Sequence, residues 1–291
     1  MIDLLYEYND DNLMLQGTYF DSRKKDICIL FIHGQAQSIL NNKFAYEFGK
    51  YFSKNGISFL YGHNRGYDFI NCMFDKNGAF IYNGATFELF GDSLKDIKVW
   101  VNKIKELGYK KIILFGHSLG CNKVLYYLSK YQYNIDGVIF ASAPDMVGIT
   151  KKEELNFDKL HNEAIGLLKN NKNGILTHLI GGTDYISAKT FIDQNTENSP
   201  IDNFPIERNP VVFEQLSKII IPVLSFCGSL EYPTYLKQEL LKEKAINCTD
   251  YTYEIIDNTN HFYKNTEEYV EKLITEWINR TLKGVDPNEW K

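Results

Sequence analysis

Gly116-His117-Ser118-Leu119-Gly120 sets a serine between two glycines, directly after the apolar run 111–115 and before a helix-patterned segment that opens at Leu119. A G-x-S-x-G in a strand-turn-helix setting is a nucleophile-bearing turn. Such a turn is tight enough to strain the serine backbone, and the flanking glycines permit close backbone approach. It presents the Ser118 hydroxyl at the carboxyl end of a sheet, beside a helix N-terminus whose dipole favours developing negative charge. The bland alternative is a glycine-rich strand-to-helix turn that matches by chance. The flanking elements argue against it.

A serine hydroxyl is a weak nucleophile until a base takes its proton. His261 fits that role, in the loop 257–263 after the run 251–256 and just before the last helical segment. The chain order serine, acid, histidine is then satisfied. A surface-loop histidine is the competing reading. His117 is expected to support the turn, and His33 to shape the loop after its own strand. His63, His161 and His178 do not pair at metal-ligand spacing, so no metal site is expected. The acid that orients the imidazole belongs after the strand at 219–226. Glu231 is the one carboxylate in Cys227-Gly228-Ser229-Leu230-Glu231-Tyr232-Pro233. Asp145, in Ala143-Pro144-Asp145, is the runner-up, with a loop or helix-capping role as its alternative. An oxyanion needs backbone N–H donors. Leu119 supplies one, and Gln35 in His33-Gly34-Gln35-Ala36-Gln37 is the choice for the second, with Ala36 next.

The elements that must hold these residues are legible as alternation. Residues 4–8 and 13–20 read as a hairpin across Asn9-Asp10-Asp11-Asn12. Segments 27–32, 57–61, 111–115, 137–141, 219–226 and 251–256 read as strands. Segments 44–53, 89–107, 119–131, 233–244 and 266–282 read as helices. Fully apolar strands separated by helices predict an α/β fold with a mostly parallel sheet covered on both faces. The rhythm breaks between residues 151 and 217. That stretch is expected to be a small inserted cap, with residues 1–150 and 218–291 forming the core. Its helix-like pieces are 153–169 and 187–194. Gly181-Gly182-Thr183 is a candidate lid hinge. The long region 64–86, with Tyr67, Phe69, Phe74, Phe80 and Tyr82, is a candidate second pocket wall.

The chain of 291 residues carries a formal charge of −5, from 32 Lys and Arg against 37 Asp and Glu, which gives no reason to expect a nucleic-acid partner. Apolar residues make up 44 % and charged residues 24 %, so wholesale disorder is excluded. No apolar stretch approaches the roughly 20 residues that span a bilayer. Asp3 and Glu7 stand where a signal peptide would need positive charge, and the five cysteines are scattered, so a reduced, cytoplasmic protein is expected. Nothing in the sequence sets the oligomeric state.

Phe31-Ile32-His33-Gly34, Asn64-Arg65-Gly66, Gly116-x-Ser118-x-Gly120, Gly228-x-x-Glu231 and Asn260-His261-Phe262 follow one another in the order of the α/β-hydrolase landmarks. The chain resembles that superfamily over nearly its whole length. It is similar to the intracellular esterase, lysophospholipase and feruloyl-esterase-like branches, which use a small insertion as a cap. The resemblance implies a cofactor-free Ser-His-acid hydrolase. The sequence departs from the pattern at the acid, where Asp is usual and Glu231 stands. It also lacks a glycine run after His33, which argues against a tertiary-alcohol esterase. The expected substrate is a small-molecule carboxylic ester or thioester with an apolar acyl or aryl group. Acyl transfer by the same triad, peptide hydrolysis and non-catalytic binding are the competing functions.

Overall fold

The computed structural model describes residues 1–176 and 185–283. His178 and the candidate hinge Gly181-Gly182-Thr183 lie outside the described residues. Strands β1 (Ile2–Tyr8) and β2 (Met14–Phe20) form the expected antiparallel hairpin. They lead into β3 (Ile27–Ile32), α1 (Lys43–Lys54) and β4 (Ser58–Gly62). A short ribbon, β5 (Asn71–Phe74) and β6 (Phe80–Asn83), stands apart from the main sheet. Then come α2 (Ser93–Glu106), β7 (Lys111–His117), α3 (Leu119–Leu128) and β8 (Gly137–Ala141). Between β8 and the next strand lie α4 (Met146–Glu153), α5 (Phe157–Lys169) and α6 (Ala188–Asn195). The chain then adds β9 (Val223–Gly228), α7 (Gln238–Lys244), β10 (Tyr251–Ile256) and α8 (Glu267–Ile278).

The main sheet has eight strands in the order β1-β2-β4-β3-β7-β8-β9-β10. The two pairings made by β2 are antiparallel and all others are parallel. The side-chain alternation of a strand explains why both faces are covered. On β3, Cys28, Leu30 and Ile32 join one core with Trp100 of α2 and Val124 of α3. Its Ile27, Ile29 and Phe31 join the opposite core with Phe48 of α1 and Trp277 of α8. A strand buried on both sides cannot afford polar residues, and β3 has none.

The segment between β8 and β9 carries a small core of its own. Leu160, Ala164, Leu176, Ile186, Ala188 and Phe191 are buried together there. Phe204 instead joins the main core, against Phe140 of β8.

Several element boundaries differ from the sequence reading. Helix α2 begins at Ser93, because residues 90–92 form a tight 3-10 turn. Strand β9 begins at Val223 rather than at 219. A 3-10 turn occupies residues 216–218, and Pro222 has no N–H for a ladder. Helix α7 begins at Gln238, after turns across residues 233–237.

Candidate active site

The C-terminal ends of β7, β8, β9 and β10 lie side by side in the sheet, and the site grows out of them. Ser118 follows β7 at φ 53°, ψ −130°, a left-handed conformation that costs a non-glycine residue roughly 1–3 kcal/mol. Its N–H donates to the Ala141 carbonyl at the end of β8 at 2.9 Å, which holds the strained turn. The glycine at 120 is a packing requirement. A side-chain carbon there would stand 2.1 Å from the Ile32 carbonyl oxygen of β3. The hydroxyl-bearing residue itself stays partly open to solvent.

His261 lies in the loop after β10. Its Nδ1 is 2.6 Å from Oε2 of Glu231, in the loop after β9. The Glu231 side chain is 2 % exposed and that of His261 28 %. An Nδ1–H donated to the carboxylate leaves Nε2 as the acceptor ring nitrogen. Tyr235 packs edge-on against the imidazole at 5.5 Å between centroids. His117 meets His261 twice, through a ring contact and through its Nε2 on the His261 carbonyl.

Asp145 does not meet the imidazole. Its carboxylate caps α4, accepting from the Gly148 N–H at 2.7 Å and from the Glu207 N–H at 2.8 Å. Burial pushes its acid strength down, and the two N–H donors oppose that shift.

The loop after β3 reaches the nucleophile. A side-chain carbon on Gly34 would stand 2.9 Å from Cβ of Ser118. Gln35 and Ala36 follow in this turn, Ala36 at φ 51°. The Gly34 N–H is taken by Oε1 of Gln37 at 3.1 Å. Leu119 heads α3, where the first N–H groups lack an intrahelical partner. His33 bonds the Gly34 carbonyl through Nδ1 and accepts the Asn64 N–H on Nε2, so it shapes this loop. Burial drives His33 and His117 well below the ordinary histidine range, which keeps both neutral.

Sequence reasoning missed two members of the cluster. Ser142, just past β8, donates to Oε1 of Glu231, and Tyr263 contacts the Ser142 oxygen. Tyr263 stands two residues beyond His261 and could have been suspected from that loop. Nothing in the sequence marks Ser142. Among the described residues, no three His, Cys, Asp or Glu side chains converge as a metal site.

The region 28–165 matches the family model described as alpha/beta hydrolase fold. Est1E from Butyrivibrio proteoclasticus, solved with ferulic acid bound, superposes with a TM-score of 0.68 at 17 % identity, covering 96 % of this chain and 99 % of that one. The chain has the α/β-hydrolase fold. The α/β-hydrolase-fold chain is also similar to the siderophore hydrolase EstB from Aspergillus fumigatus, with a TM-score of 0.69 at 16 % identity over 97 % of this chain and 98 % of that one. The Pyrococcus furiosus esterase Pf2001 gives 0.63 at 16 % identity over 97 % and 91 %. No curated protein matches the sequence significantly. Among the described residues, no helix of this α/β-hydrolase-fold chain is long and apolar enough to cross a membrane.

Proposed function

We propose that the protein is a serine hydrolase of carboxylic esters or thioesters, with Ser118, His261 and Glu231 as its triad. The observation that carries this reading is the 2.6 Å contact between Nδ1 of His261 and Oε2 of Glu231, made by loops on adjacent strands beside the strained Ser118 turn. In the first half-reaction, His261 Nε2 takes the Ser118 proton as Oγ attacks the carbonyl carbon. Glu231 holds the imidazole tautomer and balances the imidazolium that forms. The developing oxyanion receives the N–H groups of Leu119 and Gln35, with Ala36 as the next donor in that turn. The close approach of Gly34 to Ser118 supports this part. His261 then gives its proton to the leaving alcohol or thiol. In the second half-reaction, His261 deprotonates water, which attacks the acyl-enzyme and releases the acid.

An uncharged substrate is favoured. Arg65, after β4, is engaged by Asp11, Asp92 and Asp96, and Lys123 on α3 by Glu88. Both cations are thereby spent on internal carboxylates rather than on a phosphate-rich group. Residues 151–217 are assigned as a cap, because α5 and α6 pack on each other in a core of their own.

The test is a fluorophosphonate probe followed by a panel of p-nitrophenyl esters and acyl thioesters of graded length. The reading expects one labelled residue, Ser118, and turnover of at least one ester or thioester class. A native protein that takes no label, with no turnover across the panel, would overturn it.

A further inference from the structure

Glu231 is held by groups that the reaction does not consume. Its Oε1 accepts the Gly228 N–H at 2.7 Å and the Ser142 hydroxyl at 2.7 Å. Its Oε2 is thereby left to the imidazole. A serine hydroxyl has one proton, and Ser142 spends it on Glu231. The 2.6 Å contact between the Ser142 and Tyr263 oxygens therefore has Tyr263 as the donor. Donation runs in one direction, from Tyr263 to Ser142 to Glu231. Both Ser142 and Tyr263 are fully buried, and both hold positive φ, 55° and 52°. Two strained, non-glycine residues in one hydrogen-bonded chain mark a place where backbone strain is tolerated for geometry.

The surroundings of Glu231 explain what the chain does. The titratable side chains that face it are His261 and Tyr263 from the loop after β10, Cys227 of β9, Tyr235 before α7 and Cys121 of α3. Burial keeps the cysteines and tyrosines neutral. Among the described residues, no lysine or arginine pairs with Glu231. The carboxylate is thus balanced by oriented dipoles until His261 takes a proton. Only then does it gain a counter-charge, which is stabilisation reserved for the transition state.

We propose that Ser142 and Tyr263 are positioning residues of the triad: their chain pins one oxygen of Glu231 so that the other alone is presented to His261. The proposal rests on the serine-hydrolase reading above. It also accounts for the glutamate. The turn at residues 228–231 closes with the Glu231 N–H on the Gly228 carbonyl at 3.2 Å. The longer side chain can then curl back to the Gly228 N–H and still span from Ser142 to His261.

The experiment compares wild type, Ser142→Ala, Tyr263→Phe and the double variant. It reads the fluorophosphonate labelling rate of Ser118, kcat and KM on a p-nitrophenyl ester, the pH profile of kcat/KM, and Tm. Ser142→Ala should slow labelling and kcat by roughly 10- to 100-fold, the worth of a hydrogen bond to a charged group, with KM little changed. Tyr263→Phe keeps the ring and should cost less. The double variant should be no slower than Ser142→Ala, because the chain passes through Ser142. The acid limb of kcat/KM should move to higher pH in Ser142→Ala, since a carboxylate with one donor fewer holds the imidazolium more strongly. If Ser142→Ala fails to fold, Ser142→Gly suits the left-handed backbone and replaces it. Wild-type labelling with an undiminished Ser142→Ala rate would overturn this proposal alone. Losses that multiply in the double variant, with a fixed acid limb, would do the same. A wild type that takes no label would instead overturn the hydrolase reading on which the proposal rests.

Discussion

His117 donates through Nε2 to the backbone carbonyl of His261 at 2.9 Å, so the residue before the nucleophile holds the backbone of its proposed base. The other ring nitrogen faces Oε1 of Gln37 at 3.2 Å, in the loop after β3. One imidazole thereby touches the loops on both sides of Ser118. His117→Phe would keep its ring contacts with Phe44 and Tyr263 and lose the hydrogen bond to the His261 carbonyl. We expect stability to fall by about 1–3 kcal/mol, the cost of leaving a buried carbonyl unpaired. Ester turnover should fall at least tenfold with KM nearly unchanged. A variant with wild-type kcat would show that the contact does not position His261.

Ser118→Ala and Ser118→Gly should both lose nearly all activity, up to roughly a million-fold in a comparable triad. They should differ in stability. Alanine keeps the penalty of φ 53°, whereas glycine does not. The glycine variant is expected to unfold at a higher temperature than the alanine variant. Equal melting temperatures would mean that the serine turn stores no strain.

Glu231 and Asp145 separate cleanly. Glu231→Gln removes the charge proposed to balance the imidazolium, a role worth about ten-thousand-fold in a serine protease. Asp145→Ala removes a helix cap, at about 0.5–2 kcal/mol, and should leave kcat within a few-fold of wild type. Steady-state kinetics beside chemical denaturation decides between them. A crippled Asp145→Ala with an active Glu231→Gln would reverse the assignment.

Buried imidazoles should make the fold acid-sensitive. Burial pushes His63 down to about 4, and His33 and His117 also lie well below the ordinary range. In the unfolded chain these groups titrate near about 6.5. Above that pH neither state is protonated and the contribution to stability is complete. Below it the unfolded state binds protons that the folded state refuses, so stability falls as pH drops toward the folded values. Glu271 works the other way, since burial and the neighbouring Glu47 push it up to about 7. Asp145 and Asp193, also raised by burial, act in the same sense as Glu271 at lower pH, but between pH 7 and 5 the three imidazoles, each worth about 1.4 kcal/mol per pH unit within its window, outweigh them. The urea midpoint should be lower at pH 5 than at pH 7, and His63→Gln should flatten the difference. An unchanged or higher midpoint at pH 5 would contradict this.

Lys123 and Glu88 form a buried pair at 2.8 Å, with side chains 1 % and 2 % exposed. Lys123→Met would strand the carboxylate, at about 3–5 kcal/mol. Adding Glu88→Gln should recover part of that loss. A double variant less stable than Lys123→Met would show that the pair is not the source of the cost.

Local signals carried most of the fold. The strand 137–141 and the strand 251–256 match β8 and β10 at both ends; the first is a short apolar run, the second a stretch rich in β-branched and aromatic residues, and both are followed by residues that break a strand. The β5–β6 ribbon escaped notice. Its strands have four residues each; β5 buries Asn71 and exposes Phe74, and β6 leaves Phe80 and Tyr82 exposed, so no apolar alternation marks them in the sequence. The candidate nucleophile Ser118 stands out in the sequence because its motif is local and steric, and the candidate acid Glu231 stands out by its place in the strand order. Ser142 does not, because its role exists only in a contact 89 residues away in the chain.

Strand β10 is an edge of the sheet and pairs with β9 alone. The loop that carries His261 and Tyr263 hangs from it. Opening of this one margin, with the other seven strands still paired, would take the proposed base, His261, away from Ser118. Edge elements open at lower free energy than the centre of a domain. Enzymatic function should then disappear on warming before the bulk of the molecule melts, and amide exchange in β10 should report the vulnerable step.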